Sequence, residues 1–272
     1  MMASPPRSRR SLAQRCLTPK AEIPRGIALS TGVGVWVLVI ALWMLACYGG
    51  LANPIFLPSP DQVIGAAVRL AGDGRLGRDV WASVQVILLG FAVSSLFAVP
   101  VGLLMGTFGL VRAAVEPLTN FIRYLPVTSF VPLFILWIGI GLQERVTVIV
   151  FGTFFQQLVM IADVSRNVSG DLLNASYTLG ANRRDAVLHV LGPASLPGVL
   201  DTLRVTMGWA WTYLVVAELV AASSGLGYIS MQGLRGFQVD QIFMAIAIIG
   251  ILGLITDQIF SLLRRWLAPW AA

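Results

Sequence analysis

The chain has 272 residues, 57% of them hydrophobic and only 12% charged, with a mean hydropathy of +0.80 and a formal net charge of +6. A soluble globular chain carries about 25% charged residues, so this composition excludes a water-soluble domain and requires a polytopic membrane protein. Two cysteines, Cys16 and Cys47, and a single histidine, His189, exclude a disulfide framework, a His-rich metal site and a Ser-His-Asp triad away from His189.

Residues 1–26 are rich in Ser, Pro and Arg and lack apolar periodicity, which predicts a disordered basic tail. The rest of the chain, 27–272, is expected to form one transmembrane domain. Its first apolar run, 27–48, is too long for a signal-peptide core of about 7–15 residues, and no small-residue cleavage site follows it. It is expected to stay as an uncleaved span. Leu57-Pro58-Ser59-Pro60-Asp61 then breaks the chain and caps a short helix. Ile64, Ala67, Val68 and Ala71 fall at helical spacing there and are expected to lie against the outer face of a bundle.

Further spans are predicted at 82–106, 124–142, 146–163, 197–221 and 241–262. A hydrocarbon core of ~30 Å needs about 20 helical residues, so the fold class is all-α, a membrane bundle of about six transmembrane helices. Pro126 and Pro132 interrupt the 124–142 run, each removing a backbone hydrogen bond and kinking the axis. Neighbouring helices can re-satisfy the freed carbonyls, so the run is counted as a span.

Basic residues orient the chain. With the N-terminus inside, segments 1–26, 107–123, 164–196 and 263–272 hold 13 Lys/Arg, against five outside, at Arg69, Arg75, Arg78, Arg145 and Arg235. The positive-inside rule therefore predicts that both termini are cytoplasmic. The same distribution removes a nucleic-acid role, because the basic residues mark span ends rather than one surface. A G-x-x-x-x-G-K-[ST] phosphate loop is missing from the sequence, so ATP is not expected to bind this chain.

Residues 165–197 form a polar island between two apolar runs. Inside it, Asn174-Ala175-Ser176 is followed four residues later by Gly180, then by Asn182-Arg183-Arg184-Asp185, and Pro193 lies thirteen residues after Gly180. Small residues allow close backbone approach, Gly180 supplies a positive-φ helix end, and Pro193 is expected to close the loop. This spacing resembles the EAA loop of type I ABC-importer permeases, with Asn174 in place of the charged first residue and Gly192 in place of the leucine before the proline. The resemblance extends over residues 51–270. Arg123-Tyr124-Leu125-Pro126 with Pro132-Leu133 and Trp137-Ile138-Gly139-Ile140-Gly141 is similar to one segment of the nitrate, sulfonate and taurine permeases. Gly208-Trp209-Ala210-Trp211, Val216-Ala217-Glu218-Leu219 and Gly225-Leu226-Gly227 are similar to another.

The resemblance implies a MetI-like permease fold in a bacterial inner membrane and a pore subunit rather than an enzyme. It implies that Asn174, Ala175, Ser176, Gly180, Arg183, Arg184 and Pro193 dock against a separate ATPase. It further implies a second copy of the permease, two ATPase subunits carrying ATP and Mg, and an extracytoplasmic solute-binding protein, with a small anion as solute. Arg123, Pro126, Pro132, Trp209 and Glu218 are the candidate pathway or gate residues, since ionisable groups within spans are costly and mark functional positions. Asp201 and Arg204, three apart on one helix, are expected to pair, and Asp257 to sit at the interface. The competing reading, an ion-coupled secondary transporter, requires acids at the membrane midplane; here they cluster toward span ends.

Overall fold

The computed structural model describes residues 24–271, so most of the tail expected at 1–26, with Cys16, lies outside the described residues. Among the described residues every regular element is helical. The chain divides after Pro60 into two compact units.

The first unit contains α1, Arg25–Tyr48, whose best 18-residue window has a mean hydropathy of 2.1. Gly26 already belongs to this helix, so the expected boundary moves by two residues. The turn after it folds back onto the last helical turns, with Trp43 Nε1 donating to the Pro58 carbonyl at 3.1 Å.

The second unit holds α2 (Pro60–Gly72), α3 (Arg75–Thr107), α4 (Gly109–Ile122), α5 (Val127–Ile138), α6 (Leu142–Arg166) and α7 (Gly170–Thr178). It continues with α8 (Arg183–Asp185), a π-helical turn (Ala186–Leu191), α9 (Gly192–Ala221), α10 (Leu226–Arg235) and α11 (Val239–Leu267). Counting α8 to α9 as one helix, five helices among the described residues are long and apolar enough to cross a membrane, and six if the bent pair α4 and α5 counts as one.

Three expectations are corrected. The run 124–142 is not a straight span. It contributes the 12-residue α5, about 18 Å long at 1.5 Å per residue, which meets α4 at 96°. The break falls at Pro126 because proline lacks an N–H and forces the residue before it out of helical geometry. Pro132 lies within α5 without ending it. In α2 the buried residues are Val63, Ala66 and Leu70, whereas Ile64 and Val68 are exposed, so the predicted face is the wrong one. Finally, Arg204 pairs with Asp257 through two hydrogen bonds of 2.5 and 2.6 Å, and Asp201 with Arg264 at 3.1 Å. Helix α11 offers Arg204 a bidentate partner and places Arg264 within ion-pair distance of Asp201.

The core is built on one ridge of α3. Gly90, Ser94, Ala98, Gly102 and Gly106 recur every four residues and face α6. A Cβ at Gly90 would lie 2.6 Å from Ile149 Cβ, and one at Gly102 would lie 2.9 Å from Ile161 Cβ. Such small-residue ridges let backbones approach in a membrane, where helix association depends on packing rather than on the hydrophobic effect. Buried hydroxyls use that proximity: Ser94 donates to Gln157 Oε1 at 2.9 Å, and Thr153 donates to Ser94 at 2.9 Å. Gln157 Nε2 reaches Thr206 of α9 at 3.3 Å, so one amide joins three helices.

Candidate functional site

The polar island folds as a short helix pair. Ser169 caps α7, its Oγ accepting from the Asp171 N–H at 3.3 Å. The helix ends at Gly180, which has φ +89°. The Ala181 N–H bonds to the Ser176 carbonyl at 3.0 Å and the Gly180 N–H to the Tyr177 carbonyl at 3.0 Å. These two bonds form the Schellman pattern that satisfies the last carbonyls of a helix and favours glycine. Two residues on, Asn182 Oδ1 accepts from the Asp185 N–H at 2.9 Å and starts α8.

Asn174, Ala175, Gly180, Arg183 and Arg184 are exposed, and Leu179 beside them is 88% exposed. Ser176 differs from its neighbours. It is buried and bonds the Leu173 carbonyl at 2.7 Å, so Ala175 and Gly180 share the outer surface without it. Pro193 does not close a loop, because the helix runs unbroken from Arg183 to Val220, 38 residues. The proline ring would clash with the carbonyl four residues back, and the chain widens into the π turn just ahead of it.

The opposite end of that helix carries Glu218, 1% exposed. Its carboxylate accepts from Ser83 Oγ of α3 at 2.8 and 3.0 Å and from the Gly227 N–H at 2.8 Å. Arg145 Nη1 of α6 stands 3.9 Å away and donates to the Ser224 carbonyl at 3.1 Å. Ser83 Oγ accepts from the Leu226 N–H at 2.8 Å, and Asp79 Oδ1 from the Gly225 N–H at 3.2 Å. The loop 222–225 is thereby clasped to three helices. Gly225 has φ +122°, and a Cβ on Gly227 would lie 2.7 Å from Glu218 Cβ. Both glycines are needed for the loop to close over the carboxylate.

A third feature lies at the elbow between α4 and α5. Arg123, Tyr124 and Pro126 line a cavity of about 350 Å³ together with Phe151, Gln156 and Tyr213. Its aromatic wall continues through Phe130, whose ring centroid is 4.6 Å from that of Phe151. Gly152 makes the wall possible: a Cβ there would lie 2.5 Å from the Tyr213 ring. Of the candidate pathway residues, Arg123 and Pro126 meet here; Pro132 and the partly exposed Trp209 do not line it, and Glu218 belongs to the clasp.

The other members of the clasp (Asp79, Ser83 and Arg145) and the cavity residues Gln156 and Tyr213 are not marked by any local motif. The run Gly225-Leu226-Gly227, read from the sequence only as part of the permease resemblance, is where glycine permits the tight backbone approach.

The family described as "Binding-protein-dependent transport system inner membrane component" matches residues 98–271. A probable ABC transporter permease of Brucella melitensis is 34% identical over 244 residues, covering 90% of this chain and 95% of that protein. The taurine transport system permease of Escherichia coli K12 is 30% identical over 264 residues, covering 95% of each. A putative aliphatic sulfonates transport permease of Bacillus subtilis 168 is 30% identical over 233 residues, covering 86% of this chain and 84% of that one. A solved structure of the MetNI methionine ABC transporter in an inward-facing conformation superposes with a TM-score of 0.66. It shares 21% identity and covers 72% of this chain and 98% of that one, which establishes a common fold. The chain belongs to the binding-protein-dependent transport system inner membrane component family, as an ABC-importer permease of the branch that includes the taurine and aliphatic-sulfonate permeases.

Proposed function

We propose that this permease is the solute-conducting subunit of an ATP-driven importer of small anions, working as two copies with two ATPase subunits and an extracytoplasmic binding protein. Both termini and the helix pair 170–185 face the cytoplasm, and ATP with Mg is held by the ATPase. The observation that carries this reading is the continuous helix joining the exposed pair to the buried clasp. From Arg183 to Glu218 it spans about 50 Å at 1.5 Å per residue. ATP-driven closure of the ATPase dimer moves α7 and α8. The π turn and the prolines at 193 and 197 serve as joints, and the rigid helix carries the displacement to the clasp at its far end. Glu218 acts there as a gate residue that holds the outer loop in place.

The test is Gly180→Trp. A Cβ at Gly180 meets nothing within 4 Å in the chain, but at φ +89° any side chain strains the helix end, so the tryptophan variant must first elute as folded permease and the asparagine variant controls for the strain. Co-purification with the ATPase should be lost, while Gly180→Asn, which tolerates positive φ, should retain it. Normal ATPase association of the tryptophan variant would remove this surface from the interface.

A further inference from the structure

The elbow cavity contains more hydrogen-bonding capacity than the chain uses. Arg123 is its only charged lining residue; no acidic side chain lines it. Among the described residues the guanidinium makes no ion pair. Its one hydrogen bond among the described residues runs from Nη2 to the Tyr124 hydroxyl at 2.9 Å, with the Tyr124 ring packed 4.8 Å beneath it. Arg123 Nε is buried with no acceptor. A buried donor left unpaired is costly, more so when charged. Arg204, by contrast, donates two hydrogen bonds to Asp257, and Arg264, whose Nε also lacks a hydrogen bond, at least has the Asp201 carboxylate 3.1 Å away. Gln156 and Tyr213 line the same cavity, and neither side chain makes a hydrogen bond among the described residues. Four polar side chains with free valences, Arg123, Thr128, Gln156 and Tyr213, one of them cationic, therefore share a cavity walled by Phe151 and Phe155.

We infer that this cavity is a solute-binding site within the membrane domain, taking a small organic monoanion whose oxyanion head accepts from Arg123 and whose short aliphatic body lies against the phenyl rings. A guanidinium with vacant N–H groups matches the three-oxygen head of a sulfonate. The volume is at the lower end of small-molecule pockets, which run from about 300 to 1,000 Å³. Gln156 and Tyr213 bond the remaining head oxygens and reject solutes that leave them unpaired. Gly152 sets the depth of the site by letting the Tyr213 ring lie against α6. The inference rests on the small-anion importer reading and adds a selective step after the binding protein.

The experiment measures equilibrium binding of radiolabelled ethanesulfonate to the permease–ATPase complex in phosphatidylcholine nanodiscs, with no binding protein present. Saturable binding is expected, with the neutral ethanesulfonamide competing about tenfold less well or worse. Arg123→Gln should weaken binding by about tenfold or more, the scale of one charged hydrogen bond. Arg123→Lys should recover part of the loss, and Gln156→Leu should weaken binding severalfold. Each variant must elute as the intact complex, which separates lost binding from lost folding. Absence of saturable binding to the unmodified complex, or binding unmoved by Arg123→Gln, overturns the site. So does an anionic lipid retained through purification, lost in Arg123→Gln and not displaced by ethanesulfonate, because the ligand is then a headgroup. Uptake of ethanesulfonate by the full assembly, with binding indifferent to Arg123, would keep the importer reading and remove the site. Binding without uptake of any anion would do the reverse.

Discussion

Glu218→Gln is the sharpest probe of the clasp, because it keeps shape and removes charge. The amide carbonyl can still accept from the Gly227 N–H. Its NH2 then takes the place of Oε1 and faces Ser83 Oγ, which must turn to accept. That oxygen already accepts from the Leu226 N–H, its two lone pairs can serve both donors, and its proton keeps the amide carbonyl at 3.0 Å as a neutral acceptor in place of a charged one. Turning the charge-assisted bonds from Ser83 and Gly227 into neutral ones costs about 1 kcal/mol. Arg145 keeps the Gly141 and Ser224 carbonyls and loses its counter-charge, which at 3.9 Å and little exposure is worth a further 1–3 kcal/mol, about the range for a buried charged partner. The expected loss is about 2–4 kcal/mol in unfolding free energy, measured in mixed detergent–SDS micelles. Adding Arg145→Gln to Glu218→Gln should cost less than the sum of the single changes by at least about 1 kcal/mol, since the pair is coupled. A Glu218→Gln loss below about 0.5 kcal/mol, or strict additivity, would show that the carboxylate does not hold the loop.

The α3 ridge should tolerate no bulk: Gly102→Leu places atoms inside Ile161 and should cost about 3 kcal/mol or more, seen as loss of the monodisperse peak in size exclusion. Gly208→Leu, where a Cβ meets nothing within 4 Å, should elute normally, and equal behaviour of the two would contradict the close approach of α3 to α6. Glu144 is fully buried and neither carboxylate oxygen has a hydrogen-bond partner, so Glu144→Leu should stabilise the permease by about 1 kcal/mol or more; a destabilised variant would mean that another subunit supplies the partner. For orientation, cysteine at Leu179 should be labelled only from the cytoplasm and cysteine at Phe237 only from outside, in a background with Cys16 and Cys47 replaced by serine. Both positions are more than 80% exposed, and the opposite pattern would invert the topology.

Composition and periodicity alone determined that this is an all-helical membrane protein, because backbone in lipid must be satisfied in helices or closed barrels, and continuous apolar runs of about 20 residues fit helices whereas barrel strands are alternating segments of about 10. The helix pair around Gly180 was legible for a local reason: a Schellman end and an asparagine cap depend on residues within six positions of one another. The elbow was only half legible. Pro126 marked a kink, but whether a proline bends a span or breaks it by 96° depends on what packs on either side. The small-residue ridge of α3 is written in the sequence at a four-residue interval, yet its partner could not be named, since many helix faces would accept it. Tertiary structure alone decided the ion pairs and the clasp. Asp201 and Arg204 are near in sequence, but α11 brings partners from 53 and 63 residues away. Glu218 meets Ser83 across 135 residues. Such contacts follow from which helices lie side by side, and no pattern along one helix carries that information.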